Sequence, residues 1–78
     1  MFENEKVFPQ RLKALRLEKG LTGPELGEKI GYTKQAINNW EAGRTEPNIA
    51  TLCRLADALE VDLNFLVGRS DSHGSALV

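Results

Sequence analysis

The sequence predicts an all-α fold, a compact five-helix bundle, and three observations lead there. Its 78 residues suffice for one domain and one core. Few windows alternate apolar and polar residues with period two, and β-branched and aromatic runs are scarce, so a sheet has little to be built from. Helix-starting and helix-ending residues, by contrast, bracket five stretches in succession.

The first helix can hold Pro9 in its first turn and carries Leu12, Ala14 and Leu15 through Lys19, with Gly20 placed to end it. Residues 1–8 are then an N-terminal arm. Thr22-Gly23-Pro24-Glu25 reads as a capping box, in which the threonine oxygen takes a free N–H of the first turn while Glu25 reaches back. Pro24 is tolerated there because a first-turn N–H has no partner within the helix. This second helix runs from Glu25 to Ile30, with Leu26 and Ile30 on one face, and closes at Gly31. Only Gly31, Tyr32 and Thr33 separate it from a third, Lys34 to Ala42, capped by Thr33 and terminated by Gly43. Pro47 and the cap Asn48 open a fourth helix, whose buried stripe is expected to be Ile49, Leu52, Leu55, Ala56 and Leu59. Asp62 caps a fifth, short helix with Leu63, Phe65 and Leu66 before Gly68. The domain is expected to span 9–68, and 69–78 to form a flexible tail.

Composition excludes several classes. With 41% hydrophobic and 27% charged residues the chain is neither disordered nor collagen-like. No apolar run approaches the roughly 20 residues a bilayer helix needs, so no membrane partner is expected. Residues 1–7 lack the apolar stretch of a secretory signal, and a cytoplasmic location is the expectation. Cys53 and His73 each stand alone, which excludes an intramolecular disulfide and argues against a metal site. No nucleophile and base fall together and no glycine-rich phosphate loop is present, so neither catalysis, a cofactor nor a small-molecule ligand is expected.

The formal charge of −1 first argues against a nucleic-acid partner, but its distribution reverses that argument. Residues 6–44 hold eight cations against four acids, whereas 45–78 hold two cations against five acids. The front of the domain is mildly basic. It also contains two short helices joined by three residues including a glycine, the helix-turn-helix pattern whose second helix enters the DNA major groove. At 100° per residue, Trp40 and Glu41 fall on the side of Ile37, while Lys34, Gln35, Asn38 and Asn39 sweep the outward arc. That arc holds three amides, one cation and no carboxylate, although Glu is a better exposed-helix residue than Asn. Asn and Gln can donate and accept together, matching adenine N6 and N7, and Lys matches guanine O6 and N7. A polar surface helix on a generic bundle has the same composition, so on residue type alone both readings stand. Gly27 costs about 1 kcal/mol against Ala inside a helix and is expected where the two helices approach most closely.

The stretch Arg11-Leu-Lys-Ala-Leu-Arg16, Lys19-Gly-Leu-Thr22, Glu25-Leu26, Lys29-Ile-Gly31, Ile37, Trp40-Glu41-Ala-Gly43-Arg44, Pro47, Leu52, Leu55-Ala56, Leu59 and Leu63 to Gly68 resembles the Xre-type helix-turn-helix domain of lambdoid phage repressors and Cro proteins. The resemblance covers roughly residues 9–68. It implies a lambda-repressor-like fold and a transcription regulator, a repressor or a Cro-like controller, bound as a homodimer to a two-fold double-stranded DNA operator. The short chain favours the Cro-like or controller type. It further implies that Lys34, Gln35, Asn38 and Asn39 read base edges, that Thr33 and Arg44 contact phosphate, and that Arg16 and Glu41 form a structural ion pair. The family's Gln at the start of the second helix is replaced by Gly23, which leaves the backbone N–H groups of Thr22, Gly23 and Glu25 to face a phosphate. Ala42 likewise lacks a polar group the family often has, so fewer phosphate contacts and a shallower salt dependence are expected. A protein-interaction or antitoxin-like module that keeps the fold without reading DNA is the competing function.

Among the remaining residues, Trp40 is expected in the core and Cys53 beside the fourth helix's apolar stripe as a small hydrophobe, with redox sensing left open. Tyr32 either packs or points its hydroxyl at DNA. Phe65, Leu66 and Val67 are candidates for a dimer surface, against the alternative that they cap the core. Ala76, Leu77 and Val78 are a further candidate contact.

Overall fold

The computed structural model of the chain describes residues 7–69. Five helices follow one another, α1 (Val7–Glu18), α2 (Gly23–Ile30), α3 (Lys34–Glu41), α4 (Ile49–Leu59) and α5 (Leu63–Leu66), with no strand among the described residues. Residues 70–78, which include His73 and the Ala76-Leu77-Val78 candidate, lie outside them. Every helix contributes to one core: Phe8, Leu12 and Leu15 from α1, Leu26 and Ile30 from α2, Ile37 and Trp40 from α3, Leu55, Ala56 and Leu59 from α4, Phe65 and Leu66 from α5.

The caps act as the sequence indicates. Thr22 Oγ1 accepts from Glu25 N–H at 3.2 Å while Thr22 N–H donates to Glu25 Oε1 at 2.8 Å, closing the capping box. Thr33, Asn48 and Asp62 cap α3, α4 and α5 through their side-chain oxygens. Three boundaries move slightly, the first being that of α1, which ends at Glu18 and not Lys19. Because Thr22 is itself the cap, α2 begins at Gly23, and α3 ends at Glu41 with Ala42 as its C-cap.

Three expectations about packing are corrected. Phe8 is buried, so residues 7 and 8 belong to α1 and not to an arm. Phe8, Leu12 and Leu15 form an i, i+4, i+7 stripe, and burying a phenylalanine contributes roughly 1.5–3 kcal/mol, while Pro9 still falls where its missing N–H has no helical partner. In α4, Ile49 is 68% exposed and Thr51 only 3%, the reverse of what hydrophobicity suggests. The buried line runs Thr51, Leu55, Ala56, Leu59, and Ile49 projects from the far side of the same turn; Leu52 is half-buried and Cys53 is exposed. Thr51 gains its place because its Oγ1 hydrogen-bonds the Tyr32 hydroxyl at 2.8 Å.

The third correction concerns Phe65 and Leu66, which close the core from beneath and do not form an outer face. Helix α5 folds back onto α1 and α4. The Arg11 guanidinium lies 4.1 Å over the Phe65 ring, and its Nη1 donates to the Phe65 carbonyl at 2.6 Å. Only Val67 of the three dimer candidates remains half-buried. At the other end of α4, Glu60 takes a left-handed conformation, φ +60°, and its carboxylate meets Lys19 Nζ at 2.7 Å. The ammonium holds that carboxyl below its usual range.

Gly27 sits where α2 meets the turn into α3. A Cβ on it would run into the Tyr32 carbonyl oxygen, with the carbonyl carbons of Tyr32 and Thr33 at 3.3 and 3.4 Å. Those obstacles are backbone, so they yield only if the turn itself moves. Gly27→Ala should therefore lose stability by about 1–3 kcal/mol, despite the better helix propensity of alanine, and urea denaturation of the two proteins checks it.

Candidate nucleic-acid interface

The turn between α2 and α3 is built so that α3 leaves in one direction only. Gly31 adopts φ +82°, and its N–H and that of Tyr32 both return to the Gly27 carbonyl, the latter at 2.8 Å. Thr33 then restarts helix by accepting from Ala36 N–H at 3.2 Å. Tyr32 packs in this corner: its ring meets Trp40 edge-on, centroids 5.1 Å apart, and its hydroxyl is taken by Thr51.

The far end of α3 is tied to α1. Arg16 Nε lies 2.6 Å from Glu41 Oε2 and Nη2 lies 3.1 Å from Oε1, a two-pronged pair, while Nη1 donates to the Leu21 carbonyl at 2.8 Å. The side chains are only 13% and 9% exposed. Glu41 raises the guanidinium's affinity for its proton by hydrogen bonding, and burial opposes this only in part. With Ile37 and Trp40 buried, α3 is held at three points: its capped start, its apolar face and its charged end.

What remains outward is the polar arc. Lys34, Gln35 and Asn38 are exposed and Asn39 is half-buried. No carboxylate interrupts them, because Glu41 is turned inward onto Arg16. The Lys34 stem runs close to the start of α2, its Cγ 3.8 Å from where a Gly23 Cβ would stand. Arg44 is exposed beyond the end of α3, and its Nε donates to Asn39 Oδ1 at 3.1 Å, a link that residue-by-residue reading did not indicate. The five-residue separation across Gly43 was its only signal.

At the start of α2 the donors are fewer than the sequence suggests. The N–H groups of Thr22 and Glu25 are both engaged within the capping box, and Pro24 has none. Gly23 N–H and the Thr22 hydroxyl hydrogen remain, with the Glu25 carboxylate alongside. Among the described residues no cluster of three or more His, Cys, Asp or Glu could hold a metal ion, and no helix is long and apolar enough to cross a membrane.

Comparison with known proteins agrees with this arrangement. The family model described as helix-turn-helix matches residues 12–66. A prophage-derived uncharacterized HTH-type transcriptional regulator of Bacillus subtilis, YonR, is 34% identical over 61 residues, 78% of this chain and 56% of its own. An uncharacterized HTH-type regulator of Sinorhizobium fredii, y4dJ, is 38% identical over 66 residues, 85% of this chain and 86% of its own. Among solved structures, the P22 c2 repressor in complex with a synthetic operator superposes with a TM-score of 0.78 at 30% identity, covering 82% of this chain and 97% of that one. The chain spans just over half the length of the Bacillus relatives it matches.

The ion pair makes a test of how α3 is held. Arg16→Met leaves the Glu41 carboxylate largely buried without its partner and should cost about 2–4 kcal/mol, whereas adding Glu41→Leu should recover most of the loss. Denaturant midpoints of the two variants measure both.

Proposed function

The chain belongs to the helix-turn-helix family, and from that premise we propose that it is a transcription regulator binding a double-stranded DNA operator with α3 in the major groove. The observation that carries this reading is the outward face of α3: Lys34, Gln35 and Asn38 project together from a helix fixed at both ends, and the nearest carboxylate is withdrawn into the Arg16 pair. Amides that donate and accept together suit adenine edges, and an ammonium suits the acceptors of guanine. In this proposal Arg44, Thr33, the Thr22 hydroxyl and Gly23 N–H contact backbone phosphates, which fix register without reading sequence. Catalysis forms no part of the proposal.

One domain of this size offers few contacts, so it acts as a homodimer that sets two copies of α3 in successive major grooves, about 34 Å apart, on a two-fold site. Of the three dimer candidates, Phe65 and Leu66 lie in the core, which leaves Val67. The operator is reached in the cytoplasm.

Selection from random duplex DNA with the whole chain should enrich a two-fold motif with half-sites one helical turn apart. Recovery of no motif would sink the reading. Against the selected duplex, Gln35→Ala should lose roughly 1–3 kcal/mol of binding and relax preference at one base position. Position 23 has room for a side chain, so Gly23→Gln should tighten binding to every sequence alike by about 1 kcal/mol, one added phosphate hydrogen bond; titrations against specific and scrambled duplexes read it out.

A further inference from the structure

Asn39 differs from its neighbours on the α3 arc. Gln35 and Asn38 are exposed, but Asn39 is half-buried, at the edge of the arc nearest the loop that follows the helix. That loop reverses at Gly43, φ +77°, so that Arg44 returns beside Asn39. Two hydrogen bonds join them: Arg44 N–H donates to the Asn39 carbonyl at 2.9 Å, and Arg44 Nε donates to Asn39 Oδ1 at 3.1 Å. The orientation of the carboxamide is fixed chemically, because a guanidinium has no acceptor and only the amide oxygen can face it.

This bond changes what each residue can do. One lone pair of Oδ1 is engaged and the half-buried carboxamide is held edge-on to Arg44, so Asn39 is not free to turn both its oxygen and its Nδ2 hydrogens toward an adenine edge as the exposed Gln35 and Asn38 are. Arg44 uses only Nε, and its two Nη groups have no partner among the described residues, so the fork presented to solvent is intact. A free arginine must be ordered before it can hold a phosphate, and the Asn39 oxygen supplies that order in advance.

We infer that Asn39 is a positioning residue, which orients Arg44 toward a DNA backbone phosphate and does not itself read a base. The inference rests on the DNA-binding reading above and reassigns one residue of the expected base-reading set.

The test is a double-mutant cycle on binding to the wild-type chain's selected duplex, with salt titrations and a repeat selection. Arg44→Ala should weaken binding to all sequences alike and lower the salt slope by about 1. Asn39→Ala should weaken binding about three- to tenfold, the ordering of one long side chain, and its repeat selection should return the wild-type motif. In the Arg44→Ala background, Asn39→Ala should have no further effect. A motif degraded at one base position by Asn39→Ala, or losses that simply add in the double variant, would overturn the inference while leaving the DNA-binding reading intact. A wild-type chain that enriches no motif overturns both. Measuring far below each variant's unfolding midpoint separates a loss of binding from a loss of fold.

Discussion

Gly27 lacks a side chain because the Tyr32 carbonyl occupies the space where one would stand. Everything on the polar face depends on that approach. It lets α2 and α3 meet across a three-residue turn, which brings Tyr32 against Trp40 and puts its hydroxyl on Thr51 of α4. The direction in which α3 leaves is then set by backbone contact, which gives far less than side-chain packing does. Arg16 completes the arrangement from α1 by holding the last residue of α3 through a two-pronged contact. A partly buried ion pair is a weak source of net stability, but it has a narrow geometry, and here geometry is what matters. The same bond removes the one carboxylate of α3 from the surface the helix presents.

The start of α2 shows two uses of one set of backbone groups in competition. A helix N-terminus attracts anions through its unpaired N–H groups. In this chain the capping box spends two of them on Thr22 and Glu25, Pro24 removes a third, and a carboxylate takes the place an external phosphate would seek. The result is a better-closed helix and a poorer phosphate site. The near-neutral total charge also limits nonspecific attraction to a polyanion, so the proposed DNA reading relies on the α3 face for discrimination and on Arg44 and pairing of two copies for strength.

Much of this was legible in the sequence because it is written in local chemistry. Thr22, Thr33, Asn48 and Asp62 bond backbone N–H groups two or three residues away, so they mark helix starts whatever the rest of the chain does. Gly27 was legible for a different reason: a glycine inside a helix is costly unless something approaches it. The misplaced residues all depend on partners distant in sequence. Thr51 can lie on the buried Leu55–Leu59 stripe, with Ile49 off it, because Tyr32, nineteen residues before Thr51, partners its hydroxyl. Sequence alone leaves Phe65 between a dimer surface and a cap on the core, because the Arg11 guanidinium that lies over it is fifty-four positions away. Pro9 reads as a helix start and so leaves Phe8 outside α1, although a proline serves equally well two positions further into the helix. The Asn39–Arg44 bond falls between these cases, since it is close in sequence but requires the reversal at Gly43.

The outward face of α3, held by its turn and its ion pair, is the surface proposed to meet DNA. Amide chemical shifts of the labelled chain, followed by NMR as its selected duplex is added, test this most directly. The largest changes should fall on Gly23 and on Thr33 to Asn39, extending to Arg44, while α5 and the exposed side of α4 around Ile49 and Cys53 hardly move. Changes centred on α5 or on that side of α4, with Lys34, Gln35 and Asn38 unaffected, would contradict it.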